Sequence, residues 1–263
     1  MPYANNEGIR IYYEVEGQGP PLVLATGASA DLAVWRGTGF TDALKGYQLI
    51  LFDTRGHGRS DKPHEPSAYG PDMAVKMAGD VIAVLDDAGI TKAHYYGYSL
   101  GALVGYRLAA GYSARFYNFI LGGGSPYKIP DEGAEVLRQM VEGYNLLGTD
   151  PEAFLQGQEC VFGRPLSPEE RKRWLNLDGI ALSRIISSVL DLLPLTPQNL
   201  AAISVPCLLF CGEDDGWGVG AKESANYIKQ AQFVSLKGYD HVTIPPDLII
   251  KLIKEFLEQV SKI

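Results

Sequence analysis

A chain that passes from an apolar strand into a buried helix through Gly-x-Ser-x-Gly has few folds open to it. The stretch here is Tyr95-Tyr96-Gly97-Tyr98-Ser99-Leu100-Gly101. Ala93 to Gly97 reads as a buried strand, and Ala102 to Ala110 as a buried helix. So abrupt a turn holds its central residue in a strained backbone conformation. Gly97 and Gly101 remove the side chains that would collide across it. Ser99 is thereby lifted clear of the sheet, its hydroxyl at a helix N-terminus where unpaired N–H groups favour developing negative charge. In a chain with 30 glycines the bare pattern carries little weight. The strand before it and the helix after it make Ser99 the candidate nucleophile.

The rest of the chain alternates strands and helices around this turn. Ile9 to Val15 alternates like an exposed antiparallel strand, and Leu22 to Thr26 is a continuous apolar run, as in a strand buried on both faces. Tyr47 to Asp53 is a further strand that runs into the Gly-rich turn Thr54-Arg55-Gly56-His57-Gly58-Arg59-Ser60. Met73 to Gly89 has helical spacing, and Phe116 to Leu121 is a strand. From about Ser125 to Thr196 the pattern is helical without strands, which predicts an inserted helical cap over 125–196 on a core of 1–124 and 197–263. Strands resume at Val205–Cys211 and Gln232–Leu236, and Pro245–Val260 is an amphipathic helix. The alternation predicts an α/β fold, a mostly parallel sheet flanked by helices.

Composition narrows the function classes. With 263 residues, 46% of them hydrophobic, the chain can bury a large core. A net charge of -8 argues against nucleic acid or an acidic membrane as partner. Three cysteines are few for a disulfide framework. Cys207 and Cys211 fall four residues apart in one strand, roughly 13 Å between Cα atoms, too far to bridge. All three cysteines are expected to be reduced and in or near the core. The N-terminus lacks the charged and apolar regions of a signal peptide, and no apolar run has the length of a membrane span, so a soluble cytoplasmic protein is expected. Oligomeric state is not legible.

A serine hydroxyl needs a base to act as a nucleophile at neutral pH. Of four histidines, His57 lies in the Gly-rich turn, where it braces the loop, and His64 sits in a polar, solvated loop. His94 opens the strand that feeds the turn and so lies at its far end from Ser99. His241 follows the last strand and precedes the last helix. The C-terminal ends of parallel strands share one edge, so His241 and Ser99 can meet there. The strand Val205–Cys211 ends at the same edge in Gly212-Glu213-Asp214-Asp215, three acids competing to orient the base.

On these landmarks the chain resembles the α/β-hydrolase superfamily, in particular small capped esterases, enol-lactonases and cofactor-free haloperoxidase-like enzymes. The carrying residues are Gly97-Tyr98-Ser99-Leu100-Gly101, Asp53-Thr54-Arg55-Gly56-His57-Gly58-Arg59-Ser60, Gly212-Glu213-Asp214-Asp215 and His241. The resemblance implies an α/β-hydrolase fold and a Ser99, Asp215, His241 triad, because in this family the acid is usually the last residue of Gly-x-x-Asp; Asp214 is the reserve. It implies an oxyanion hole of two backbone N–H groups, Leu100 after the nucleophile and Ala28 after Thr26-Gly27. The family usually has His-Gly at that pair, so the brace behind the loop must differ here; Ser29 is a candidate to add a hydroxyl.

The resulting expectation is a serine hydrolase that cleaves a small carboxylic ester or lactone through an acyl-enzyme, with no metal or organic cofactor. Two alternatives remain: a C–C bond hydrolase or lyase using the same triad, and a ligand receptor on this fold. Met140, Tyr144, Leu146, Leu147, Phe154, Phe162 and Trp174 are candidates for pocket lining or cap core. Arg164 is read as a solvated surface residue.

Overall fold

A computed structural model describes residues 2–261. Eight strands run in chain order as β1 (Tyr3–Asn6), β2 (Ile9–Glu16), β3 (Pro21–Ala25), β4 (Gln48–Phe52), β5 (Ala93–Tyr98), β6 (Phe116–Gly122), β7 (Cys207–Gly212) and β8 (Ala231–Leu236). They form one sheet ordered β1-β2-β4-β3-β5-β6-β7-β8. β1 and β2 pair antiparallel, as do β2 and β4. Every later pair is parallel. The expected mostly parallel sheet is therefore observed.

The helices are α1 (Val34–Gly37), α2 (Phe40–Ala43), α3 (Met73–Asp87), α4 (Leu100–Tyr112), α5 (Asp131–Leu147), α6 (Pro151–Phe162), α7 (Pro168–Leu175), α8 (Gly179–Leu190), α9 (Pro197–Ala201), α10 (Gly218–Ala225) and α11 (Pro246–Val260). Strand alternation divides the interior in two. Leu22 and Leu24 of β3 and Tyr96 of β5 face one layer, with α1, α2 and the Ile249, Ile253 and Phe256 face of α11. Val23, Ala25 and Tyr95 face the other, with α3, α4 and α10. Two covered faces explain why the central strands read as unbroken apolar runs.

Helices α5 to α8 leave after β6, and the chain returns to the sheet at β7. Tyr144, Leu147, Phe154 and Trp174 pack within this segment, and its apolar interior is continuous with the α3–α4 layer. The starts of α6, α7 and α8 are capped by side chains: Asp150 accepts from the Ala153 N–H, Ser167 with Glu170 forms a reciprocal capping box, and Asp178 accepts from the Ala181 N–H. Among the described residues, no helix is long and apolar enough to cross a membrane.

Two local readings are corrected, and one strand is added. β2 is antiparallel as expected but only partly exposed: β1 and β4 flank it and Ile11, Tyr12 and Tyr13 are buried, while Arg10 and Val15 stay exposed. The strand β1 was not legible; four polar-flanked residues carry little periodicity, and it forms only as a hairpin through Glu7-Gly8, both at positive φ. Cys160 is exposed on α6, whereas Cys207 and Cys211 are buried and burial pushes their thiols up to about 12. A cysteine on an amphipathic helix goes to whichever face its position dictates, and here that face is outward.

Candidate active site

The site is built at the C-terminal edge of β5. Ser99 sits between β5 and α4 with φ 54° and ψ -114°, a conformation L residues seldom adopt. The flanking glycines make it possible. A Cβ on Gly97 would lie 2.3 Å from the Gly101 carbonyl oxygen, and one on Gly101 would lie 2.4 Å from the Ala25 carbonyl oxygen of β3. The Ser99 N–H donates to the Gly122 carbonyl at 2.8 Å, tying the turn to β6.

His241 lies in the loop between β8 and α11. Its Nε2 is 3.0 Å from Ser99 Oγ and its Nδ1 is 2.9 Å from Asp215 Oδ2. A carboxylate accepts, so Nδ1 carries the proton and Nε2 presents its lone pair to the serine hydroxyl. Asp215 is buried, and its Oδ1 accepts the Trp217 N–H at 3.0 Å, which fixes the carboxylate plane. The competing acids point elsewhere. Glu213 is exposed and accepts the Gly238 N–H at 3.3 Å; Asp214 is exposed. The three residues expected to act together are thus in contact, and Asp215 is the acid of that turn that meets His241.

Tyr98, the residue before Ser99, donates its hydroxyl to the His241 carbonyl at 2.7 Å, and the two rings lie 5.5 Å apart. Burial pushes its phenol far above the usual range, so it stays a neutral donor. Nothing in the sequence singled out this contact, because it spans 143 residues.

Opposite Ser99 runs the loop after β3. A Cβ on Gly27 would lie 3.2 Å from Ser99 Cβ, so the backbone there passes directly beside the nucleophile. Among the described residues, neither the Ala28 N–H nor the Leu100 N–H is donated to a protein acceptor. Thr26 is buried, and its hydroxyl donates to the Ala30 carbonyl at 3.2 Å. Ser29 has φ 67°; its N–H donates to His57 Nε2 at 3.0 Å, and its hydroxyl meets that of Tyr144 from α5.

His57 belongs to the Gly-rich turn after β4, which is locked to the body of the protein. Arg55 and Asp80 of α3 form a buried, two-point ion pair at 2.6 and 2.7 Å. Asp53 is buried and accepts the N–H groups of Leu32 and Arg59, each at 2.8 Å; burial still raises its carboxyl above the ordinary range. His57 is 2% exposed, and burial takes its imidazole down to about 4.

The remaining candidates lie away from Ser99. His94 is at the other end of β5, buried against Asn118, and His64 is held by Asp178 at the start of α8 at 3.0 Å. Phe154 and Trp174 pack ring on ring in the interior of the helical segment, while Leu146 and Phe162 are exposed. Arg164 forms a two-point surface pair with Glu170.

Comparisons with known proteins agree with this architecture. A family model for the alpha/beta hydrolase fold matches residues 20–158. RutD of Azorhizobium caulinodans, to which carbamate hydrolysis is ascribed, is 29% identical over 228 residues, 82% of this chain and 81% of that one. The 3-oxoadipate enol-lactonase 1 of Acinetobacter baylyi is 28% identical over 145 residues; the match spans 54% of this chain and about half (52%) of that enzyme. Among solved structures, the enol-lactonase of Burkholderia xenovorans LB400 superposes with a TM-score of 0.76 at 24% identity, over 98% of this chain and 100% of that one. Carried by a matched model over more than half its length and by the same sheet, this chain belongs to the alpha/beta hydrolase fold family.

Proposed function

We propose that the protein is a serine hydrolase that cleaves a small carboxylic ester or lactone through an acyl-enzyme. The observation that carries this reading is the unbroken chain Ser99 Oγ to His241 Nε2 at 3.0 Å and His241 Nδ1 to Asp215 at 2.9 Å, with Ser99 on a strained turn. In this reading Ser99 attacks the acyl carbonyl while His241 Nε2 takes its proton. Asp215 holds the ring in its Nδ1–H tautomer and offsets the imidazolium charge. The oxyanion accepts the N–H groups of Leu100 and Ala28. His241 returns its proton to the leaving oxygen, and water, activated by the same nitrogen, releases the acid.

The ester or lactone class is supported by the enol-lactonase relative, and the RutD match adds carbamates to the acyl donors worth testing. The segment 125–196 is read as the cap that shapes the acyl pocket, with the Tyr144 hydroxyl in contact with that of Ser29 on the loop after β3. A panel of chromogenic esters, lactones and carbamates finds the substrate. Against the best of these, Ser99→Ala is expected to abolish turnover with unchanged circular dichroism, and a fluorophosphonate to label Ser99 alone. Full activity in Ser99→Ala, or labelling elsewhere, removes the reading.

A further inference from the structure

The loop that follows β3 is braced from within by the Thr26 hydroxyl on the Ala30 carbonyl, and at Ser29 from outside. Ser29 stands at φ 67°, in the left-handed region that costs an L residue energy. Its N–H must therefore be held from outside, and the group that holds it is His57 Nε2, at 3.0 Å. A backbone N–H can only donate, so Nε2 presents its lone pair. His57 Nδ1 lies 3.2 Å from the Arg55 carbonyl, which can only accept, so the proton sits on Nδ1. Both contacts demand the same neutral tautomer, and a ring 2% exposed is kept neutral by its burial.

The support is itself rigid. Arg55 is clamped to Asp80, and Asp53 of the same turn accepts the Leu32 N–H at 2.8 Å. The turn thus grips the β3 loop at two points, residues 29 and 32. Between the nearer grip and Ser99 lies Ala28, whose N–H has no protein acceptor among the described residues. Ala28 is therefore one peptide away from a pinned N–H, and holding Ser29 limits how far the peptide that carries the Ala28 N–H can turn.

We propose that His57 is the positioning residue of the oxyanion site: by accepting the Ser29 N–H it aims the Ala28 N–H at the oxygen that develops beside Ser99. It acts beside the brace within the β3 loop, where the Thr26 hydroxyl donates to the Ala30 carbonyl at 3.2 Å. The proposal rests on the reading of Ser99 as nucleophile and Ala28 as oxyanion donor. His57 touches no reacting atom, and its effect passes through the loop. An oxyanion donor acts in the transition state and not on the bound ester, so its misplacement lowers kcat and leaves KM.

The test compares His57→Leu, which removes the acceptor, with His57→Gln, whose Oε1 can stand where Nε2 stood. On the best substrate from the panel, His57→Leu is expected to lose about 10²-fold in kcat, the cost of one oxyanion donor, with KM within about twofold. His57→Gln is expected to recover most of that loss. Equal losses in both variants, or a rise in KM in place of the fall in kcat, overturn the proposal. Should the Leu variant not fold, the wild-type protein decides. A scalar coupling between the Ser29 amide nitrogen and His57 Nε2, with the Nε2 shift of an unprotonated ring nitrogen, is expected in its nitrogen-15 spectrum; absence of the coupling overturns the proposal. Ser99→Ala run alongside separates the two levels. If it is inactive while His57→Leu is fully active, only the role of His57 falls. If it is active, the nucleophile reading falls as well.

Discussion

Two loops at the catalytic edge of the sheet each carry a histidine, and the two rings are the same chemical species in opposite settings. His241 and His57 both hold their proton on Nδ1 and turn a bare Nε2 toward a donor. At His241 the Nδ1 partner is a buried carboxylate and the Nε2 partner is a hydroxyl that can give up its proton. At His57 they are a backbone carbonyl and a backbone N–H that cannot. The His241 side chain is 33% exposed, whereas His57 is enclosed. Tautomer and orientation alone therefore do not make a base. A ring that must become charged needs a counter-charge behind it and an acid before it; a ring that lacks both serves as a fixed acceptor.

The sharpest way to break the comparison is to take the counter-charge from His241. Asp215→Asn keeps the shape but offers an N–H where an acceptor is needed, which favours the wrong tautomer; kcat is expected to fall about 10⁴-fold. Asp214→Asn and Glu213→Gln, both exposed, should each cost less than about tenfold. A steady-state assay of the three variants on one substrate decides, and a dead Asp214→Asn would move the acid by one residue.

The next effect belongs to His57 and shows in stability. Its folded value is about 4, below the ordinary 6.5, so between these values the unfolded chain binds the proton that the native ring refuses. Stability from this group is complete above about pH 6.5 and is lost as pH falls toward 4, by about 3 kcal/mol for the whole shift. Urea unfolding at pH 7 and pH 4 should show wild type losing that much relative to His57→Gln, which does not titrate. An equal pH dependence in the two proteins would mean that the folded ring takes up its proton over the same range as the unfolded one, so that burial does not hold it neutral.

The smallest change tests how firmly the His241 loop is aimed. Tyr98→Phe deletes one neutral hydrogen bond to the His241 carbonyl, a net loss of about 1 kcal/mol. About a fivefold drop in kcat is expected, with KM little changed. A loss as large as that of Asp215→Asn would make Tyr98 part of the proton-transfer geometry itself.

Much of this was legible because the relevant signals are local. Apolar runs marked the parallel strands, and Gly-x-Ser-x-Gly fixed where the sheet turns into α4. Positions after strand ends brought Ser99, Asp215 and His241 to one edge before any distance was known. What stayed hidden is carried by contacts between distant segments. His57 read as a brace for its own turn, but its acceptor is spent on Ser29, a residue from another strand's loop. Tyr144 and the Phe154–Trp174 pair were indistinguishable as pocket or core, since both demand apolar residues at helical spacing. Tyr144 reaches the β3 loop, and the pair packs inside its own segment.

The sheet order has a consequence for working lifetime. His241 follows β8, the outermost strand, most of whose residues are only partly covered. Ser99 follows β5, near the middle of the sheet. Regions with few buried contacts open before a domain melts. With His241 as the proposed base, fraying of that margin is expected to withdraw it while the centre stays intact, and heat inactivation to follow the grip of β8 on β7. Stiffening that margin is expected to extend the period of use.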